Sequence, residues 1–311
     1  MKKLLLALAL LLPSQAYAND KITVMLDWFV NPDHAPIVIA KEKGFFAAHG
    51  LDVEIVAPAD PSDPPKMVAA GKADIGISYQ PQLHLLIDEG LPLVRIGTLI
   101  TAPLNCLLVR DDGSVKTLAD LKGKKVGFSL AGYEEALLKT MLASAGLKLT
   151  DVELVNVNWS ISPSLMSKQV DAVTGAFRNF ELTQMELGGV KGRCFNPEEV
   201  GIPAYDELVY VANRDHLDKK VLRRFLAATE EAANFIINHQ DESWKVFSGT
   251  AKELQDELNK RAWADTVPRL SLQPAALDSN RYARFQAYLN KAGLIQHNHP
   301  LSDIAVDLGP E

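Results

Sequence analysis

Lys21-Ile-Thr-Val-Met-Leu-Asp-Trp-Phe-Val-Asn-Pro-Asp-His-Ala-Pro-Ile-Val-Ile-Ala-Lys-Glu-Lys-Gly-Phe-Phe46 is the stretch from which the rest of this 311-residue chain can be read. It falls into three pieces. Residues 22–26 are an apolar strand, 27–34 a polar and aromatic loop, and 35–49 a helix. A strand feeding a loop and then a helix is how an α/β sheet begins. Ligands of such sheets bind beyond the carboxyl ends of the strands, so the loop from Asp27 to His34 is the first place to look for a site.

Outward from there the alternation continues. Strands are expected at 53–56, 75–77, 93–99 and 105–110, all in the first sheet, with helices at 65–71 and 83–89. From Leu118 the pattern restarts, with strands at 124–128, 152–155 and 172–175 and helices at 133–145 and 163–169. From Leu217 onward the chain reads as mostly helical. Two segments repeat: Asp52-Val-Glu-Ile-Val56 is echoed by Asp151-Val-Glu-Leu-Val155, and Ala70-Gly-Lys-Ala-Asp-Ile-Gly-Ile77 by Ser167-Lys-Gln-Val-Asp-Ala-Val-Thr-Gly175. Strand-turn-helix-strand units resemble one another in any α/β protein. The near-constant offset favours two similar lobes, each a small doubly wound, mostly parallel sheet flanked by helices. The division expected is 19–110 with 205–311 as one lobe and 111–204 as the other. Arg110-Asp-Asp-Gly-Ser114 suits the first crossing and Gly201-Ile-Pro-Ala-Tyr205 the return, with 208–212 rejoining the first sheet. The ligand cleft then lies between the lobes, and closure is a hinge motion.

Upstream of the opening strand, Met1-Lys2-Lys3 gives a positive start, 4–12 an apolar run, and Ala16-Tyr17-Ala18 a small-x-small cleavage site. A run this short does not span a bilayer, which takes about 20 apolar residues. Export to the periplasm with cleavage after Ala18 is expected, taking the formal charge from −7 to −9. The remainder, 47% hydrophobic and 23% charged over the whole chain, has a globular composition. Net acidity without lysine or arginine blocks argues against nucleic acid as a partner. Cys106 and Cys194 are too few for a disulfide scaffold. An oxidising compartment permits a bridge, but Cys106 sits in an apolar run, so two free or inert thiols are expected.

Candidate binding residues come from the strand-end loops. In the first loop, Asn31 can cap the following helix, with Pro32 at its first position. Trp28 can pack in the core or stack on a planar ligand, and His34 opens the helix that faces the cleft. Tyr79, in Ser78-Tyr79-Gln80-Pro81-Gln82, can stack and donate through its hydroxyl. In the second lobe Trp159 occupies the place matching residues 58–60 of the first. Glu181, at the end of Ala176-Phe-Arg-Asn-Phe-Glu181, is the carboxylate best placed to accept from an amine or ring N–H. Ser129-Leu-Ala-Gly132 leads into a helix whose first turn carries Glu134 and Glu135. Carboxylates there stabilise the helix and oppose an anionic ligand. With Asp27 and the aromatics, this favours a flat, uncharged or cationic, amine-bearing ligand. There is no Gly-x-Ser-x-Gly, no phosphate-cradling glycine loop and no Cys-x-x-Cys. His297-Asn-His299 reads as surface loop, so neither a metal nor a cofactor is expected, and no catalytic residue.

These residues resemble a known group. Residues 21–50, Pro61-Ser62, Gly71-Lys-Ala-Asp-Ile-Gly76 and Leu118-Ala-Asp-Leu-Lys-Gly-Lys-Lys-Val-Gly127 are similar to NMT1/THI5-like solute-binding proteins, over roughly residues 22–215. The resemblance implies a type II periplasmic binding protein of an ABC importer, serving a membrane permease and its ATPase. Its ligand would be a thiamine-related aminopyrimidine, hydroxymethylpyrimidine or formylaminopyrimidine. Trp28, Tyr79 and Trp159 would wall the ring and Asp27 and Glu181 would fix its amine. Ser129 and Asn179 would add polar contacts, with His34 beside them. Asn179-Phe180-Glu181 resembles the Asn-aromatic-Glu of the pyrimidine importers. Sulfonate, taurine and nitrate binders share the glycine-lysine patterns, and these solutes or a flavin-like ring are the alternatives. The family's fungal synthases use a lysine for pyridoxal phosphate and a consumed histidine, which align near Ser78 and Gln82. Since a Schiff base needs a lysine amine, enzyme activity is not expected.

Overall fold

The computed structural model describes residues 19–309, so the expected export segment at 1–18 lies outside the described residues. Four strands open the chain: β1 (Asp20–Met25), β2 (Leu51–Val56), β3 (Ile75–Ser78) and β4 (Leu93–Ile100). Then come β5 (Asn105–Arg110), β6 (Lys125–Phe128), β7 (Glu153–Asn156), β8 (Ala172–Phe177), β9 (Gly192–Phe195) and β10 (Leu208–Asn213). The first sheet has the order β2-β1-β3-β10-β4 and the second β7-β6-β8-β5-β9. In each, three parallel strands adjoin one antiparallel strand and then an outer fifth. This is the two-lobed, mostly parallel α/β architecture expected.

Helices α1 (Ala35–Glu42), α2 (Phe45–Ala48), α3 (Asp63–Ala69) and α4 (Gln80–Asp88) serve the first sheet. The second has α5 (Tyr133–Ser144), α6 (Ile161–Met166) and α7 (Glu181–Leu187). The helical tail, α8 (Lys219–Asn238), α9 (Gln240–Gly249), α10 (Glu257–Thr266), α11 (Ser279–Lys291) and α12 (Leu301–Ile304), packs back on the first lobe. The helix expected over 35–49 is two helices, because Gly44 turns left-handed (φ +76°) and breaks it. Among the described residues no helix is long and apolar enough to cross a membrane.

The internal repeat has a physical basis. Asp74 accepts the Thr23 N–H at 2.7 Å and donates its own N–H to the Thr23 carbonyl at 3.1 Å. Asp171 does the same with Lys125, at 3.0 and 2.8 Å. Each repeat aspartate therefore closes the gap where the first and third strands of its sheet begin to pair.

One expectation is corrected. Residues 105–110 were assigned to the first sheet and the crossing to 110–114, but β5 pairs with β8 and β9 of the second sheet. The chain crosses at 101–104 instead. Every residue of β5 is buried; a strand covered on both faces has the same apolar pattern in either sheet, so sequence could not choose. The two lobes exchange strands: β5 leaves β4 for the second sheet, and β10 leaves the second lobe for the first. Glu207, fully buried just before β10, ties the two crossings together. Its carboxylate accepts the N–H groups of Leu104 (2.5 Å) and Asn105 (2.9 Å) and the Tyr133 hydroxyl (3.3 Å).

The thiols are corrected too. Cys106 and Cys194 form a disulfide, and among the described residues no cysteine is free. β9 is the antiparallel neighbour of β5, with Cys194 opposite Leu108, so buried Cys106 and half-buried Cys194 present their sulfurs on one sheet face. An apolar setting shields Cys106 from external reagents but not from an intramolecular partner.

Two outcomes follow for the fold. Denatured, unreduced protein should show no free thiol by thiol titration, and two after reduction. The C106A/C194A double variant should lose up to roughly 4 kcal/mol of stability from loop entropy. Glu207→Ala, which strands two buried N–H groups, should lower stability by about 2–5 kcal/mol in thermal melts, whereas Glu207→Gln keeps the acceptor and should cost much less.

Candidate functional site

The loop after β1 is organised by its own side chains. Asn31 Oδ1 accepts the Asp33 N–H (2.9 Å), while His34 Nδ1 accepts the Asn31 N–H (3.2 Å), a reciprocal cap over a short turn, Pro32–His34, that leads into α1. Because Nδ1 accepts, the ring proton sits on Nε2, which donates to Asp27 Oδ1 at 2.9 Å. The Tyr79 hydroxyl donates to Asp27 Oδ2 at 2.7 Å. Both oxygens of Asp27 are thereby held in place at the end of β1.

Between the lobes lies a small pocket with a cavity of about 30 Å³. The first lobe contributes Asp27, Trp28, Asn31, Asp33 and Tyr79. The second contributes Leu130, Tyr133, Glu134, Ile161, Gly175, Phe177, Phe180 and Glu181. Among the described residues neither lysine nor arginine lines it, so four carboxylates share a pocket with aromatic and aliphatic walls and no cation.

Of the eight residues singled out from sequence, Asp27, Trp28, Tyr79 and Glu181 line this pocket. The other four stand behind it. His34 is fully buried and orients Asp27. The Ser129 hydroxyl donates to the Asn158 carbonyl. Trp159 packs on Trp28, ring centroids 4.3 Å apart. Asn179 Nδ2 donates to Asp33 Oδ1 and to Thr266 Oγ1, each at 2.8 Å, a link from the second lobe to the first. Tyr79 and Tyr133 also meet across the lobes, stacked at 5.0 Å and 12°. The cleft is closed.

Sequence reasoning undervalued Glu134, treating it as a helix stabiliser. Its side chain turns inward over β8, where a Cβ added to Gly175 (φ +83°) would sit 2.2 Å from Glu134 Oε1. Only glycine leaves room for that carboxylate. A glycine inside a strand was the available signal, since it often marks a close approach. Burial pushes Glu134 up to about 8, although the Ser129 N–H, 2.8 Å from Oε2, favours the charged form. Burial likewise pushes Glu181 up to about 7 against the Phe177 N–H at 2.8 Å. Asp33 is raised by burial as well, in spite of Thr266 and Asn179. Glu134 and Glu181 are thus buried carboxyls with no lysine or arginine beside them in the pocket.

A family model described as NMT1/THI5 like matches residues 31–243. A Haemophilus influenzae protein provisionally assigned to thiamine biosynthesis is 51% identical over 304 residues, covering 97% of this chain and 96% of its own. A formylaminopyrimidine-binding protein of Halalkalibacterium halodurans is 34% identical over 244 residues, covering 78% of this chain and 73% of its own. Among solved structures, the periplasmic aliphatic sulphonate-binding protein of Escherichia coli superposes with a TM-score of 0.70 at 18% identity, covering 91% of this chain and 96% of its own. That likeness establishes the periplasmic-binding-protein fold. With a family match across most of the chain and relatives this similar along it, the protein belongs to the NMT1/THI5-like family.

Proposed function

We propose that the protein is the exported substrate-binding component of an ABC importer, carrying a thiamine-related aminopyrimidine, with formylaminopyrimidine or hydroxymethylpyrimidine as the ligand. The observation that carries this reading is the pocket itself: aromatic walls, buried carboxylates and no lysine or arginine. A flat ring bearing an exocyclic amine meets those walls with stacking surface and those carboxylates with N–H donors. Sulfonate and nitrate are anions and taurine carries a sulfonate group, and this pocket meets such a group with carboxyls and no lysine or arginine as counter-charge. The 34% identity to a formylaminopyrimidine-binding protein points the same way.

In this reading Asp27 and Glu181 accept from the ligand's amine and ring edge, and Trp28 and Tyr79 wall the ring. Trp159, Ser129, Asn179 and His34 act at one remove, by holding the walls and closing the lobes. Glu134 joins the acceptors. The protein is a carrier rather than a catalyst: Ser78 and Gln82, near which the synthase lysine and histidine align, hydrogen-bond each other at 2.8 Å. Closure over the ligand presents the form that the permease recognises in the periplasm.

Calorimetric titration of tag-free protein should show tight binding of the aminopyrimidines and none of taurine. The reverse pattern would sink the proposal. Glu181→Gln, which removes a carboxyl able to ionise against a ligand N–H, should weaken pyrimidine binding by roughly 10- to 100-fold.

The carboxyls also set a pH dependence. Folded pKa values of about 8 for Glu134 and about 7 for Glu181 lie above the ordinary 4.5, so the folded state binds more protons than the unfolded one. Their contribution to stability is full below pH 4.5 and is lost as pH rises through 7 to 8. Glu134→Gln removes the larger share. The variant's melting temperature should match the wild type near pH 5 and exceed it increasingly toward about pH 9. A constant offset across that range would contradict the assignment.

A further inference from the structure

We propose that Asp88, His297 and His299 form a binding site for a divalent metal ion of the zinc type, separate from the cleft. His297-Asn-His299 reads as plain surface loop in the sequence, but the fold lays it against Asp88, the last residue of α4. Asp88 Oδ1 stands 3.1 Å from His297 Nδ1 and 3.3 Å from His299 Nε2. The three ligand atoms all lie within 4.8 Å of one another. A tetrahedral zinc site with bonds of about 2.0–2.2 Å has ligand-to-ligand edges of about 3.3–3.5 Å, close to the two separations seen. Two imidazoles with one carboxylate suit zinc, nickel or copper better than magnesium or calcium, which prefer all-oxygen sets.

Two features distinguish this cluster from a chance surface contact. The first is that the ligands are held. Asp88 accepts the backbone N–H groups of Gln296 (2.7 Å) and His297 (2.9 Å), fixing the loop on one side of the site. On the other side Gln286 donates to the His299 carbonyl (2.9 Å) and accepts the His299 N–H (3.0 Å). The second feature is crowding. Asp88 Oδ1 alone faces the His297 N–H and both imidazole nitrogens, while Oδ2 faces the Gln296 N–H. One carboxylate oxygen offers about two lone-pair sites; with the His297 N–H taking one, the two imidazole nitrogens fit a cation shared at the other better than two further hydrogen bonds. The His297 side chain is 71% exposed, which leaves an entry path and a fourth position for water.

Such an ion would clamp the segment before α12 to the end of α4, whose other end begins beside Tyr79 in the pocket. Asp88 and His297 are 209 residues apart, so the complete site exists only in the folded chain. Binding therefore stabilises the fold by mass action.

The test uses tag-free, chelator-stripped protein titrated with zinc chloride in a calorimeter. Wild type should take up one zinc ion, and H297A and H299A should each bind at least about tenfold more weakly. Zinc should raise the melting temperature of wild type clearly more than that of H297A at the same concentration; because His297 is exposed, that variant should melt like wild type without metal. Cobalt loading should give a tetrahedral visible spectrum that H299A loses. No uptake at about 100 µM zinc, or equal uptake by the H297A/H299A double variant, would overturn the site.

Discussion

Glu207 is the point on which the two lobes depend. Each sheet borrows one antiparallel strand from the chain leaving the other lobe, so the protein is joined by two crossings that must stay side by side. Glu207, on the second crossing, accepts two backbone N–H groups from the first, and the Tyr133 hydroxyl as well. Burial raises its carboxyl to about 7 in spite of those donors. Neighbouring Asp206 extends the knot by accepting from Thr98 (2.9 Å), Tyr282 (3.2 Å) and Arg281. A buried carboxylate satisfied by backbone donors is costly to break and geometrically definite.

Beyond those crossings the lobes meet through a few polar and aromatic contacts. Asn179 reaches Asp33 and Thr266, Tyr79 stacks on Tyr133, and Trp28 packs on Trp159. The fold is shared with a sulphonate-binding protein, yet the charge of this cleft is opposite to what an anion needs. Ligand choice in such a fold therefore resides in the side chains that strand ends deliver, not in the backbone plan. Here those ends deliver Asp27, Tyr79 and Glu181, with Glu134 admitted by the missing Cβ of Gly175.

Much of this was legible along the chain. The alternation of strands and helices gave the class, and the paired aspartates Asp74 and Asp171 gave the repeat, because both signals are local. Asp27, Trp28, Tyr79 and Glu181 were legible as pocket-lining residues because each lies within four residues of a strand's end. Ser129, Trp159, Asn179 and His34 follow strands too, but their side chains turn to protein partners. Position in a loop tells which residues are near a cleft; it does not tell which way each side chain points once the neighbouring lobe has packed.

The sequence by itself determined the strand and helix periods, the doubling of the unit and the acidic, aromatic character of the strand-end loops. Periodicity and composition are properties of short windows. Tertiary structure alone decided that β5 crosses to the second sheet, that Cys106 meets Cys194, that Glu134 faces inward and that Asp88 meets two histidines from the tail. Each of those depends on groups distant in the chain, from the 41 positions separating Glu134 from Gly175 to the 209 separating Asp88 from His297. Only close packing brings such groups together, and a one-dimensional pattern of hydrophobicity carries no record of them.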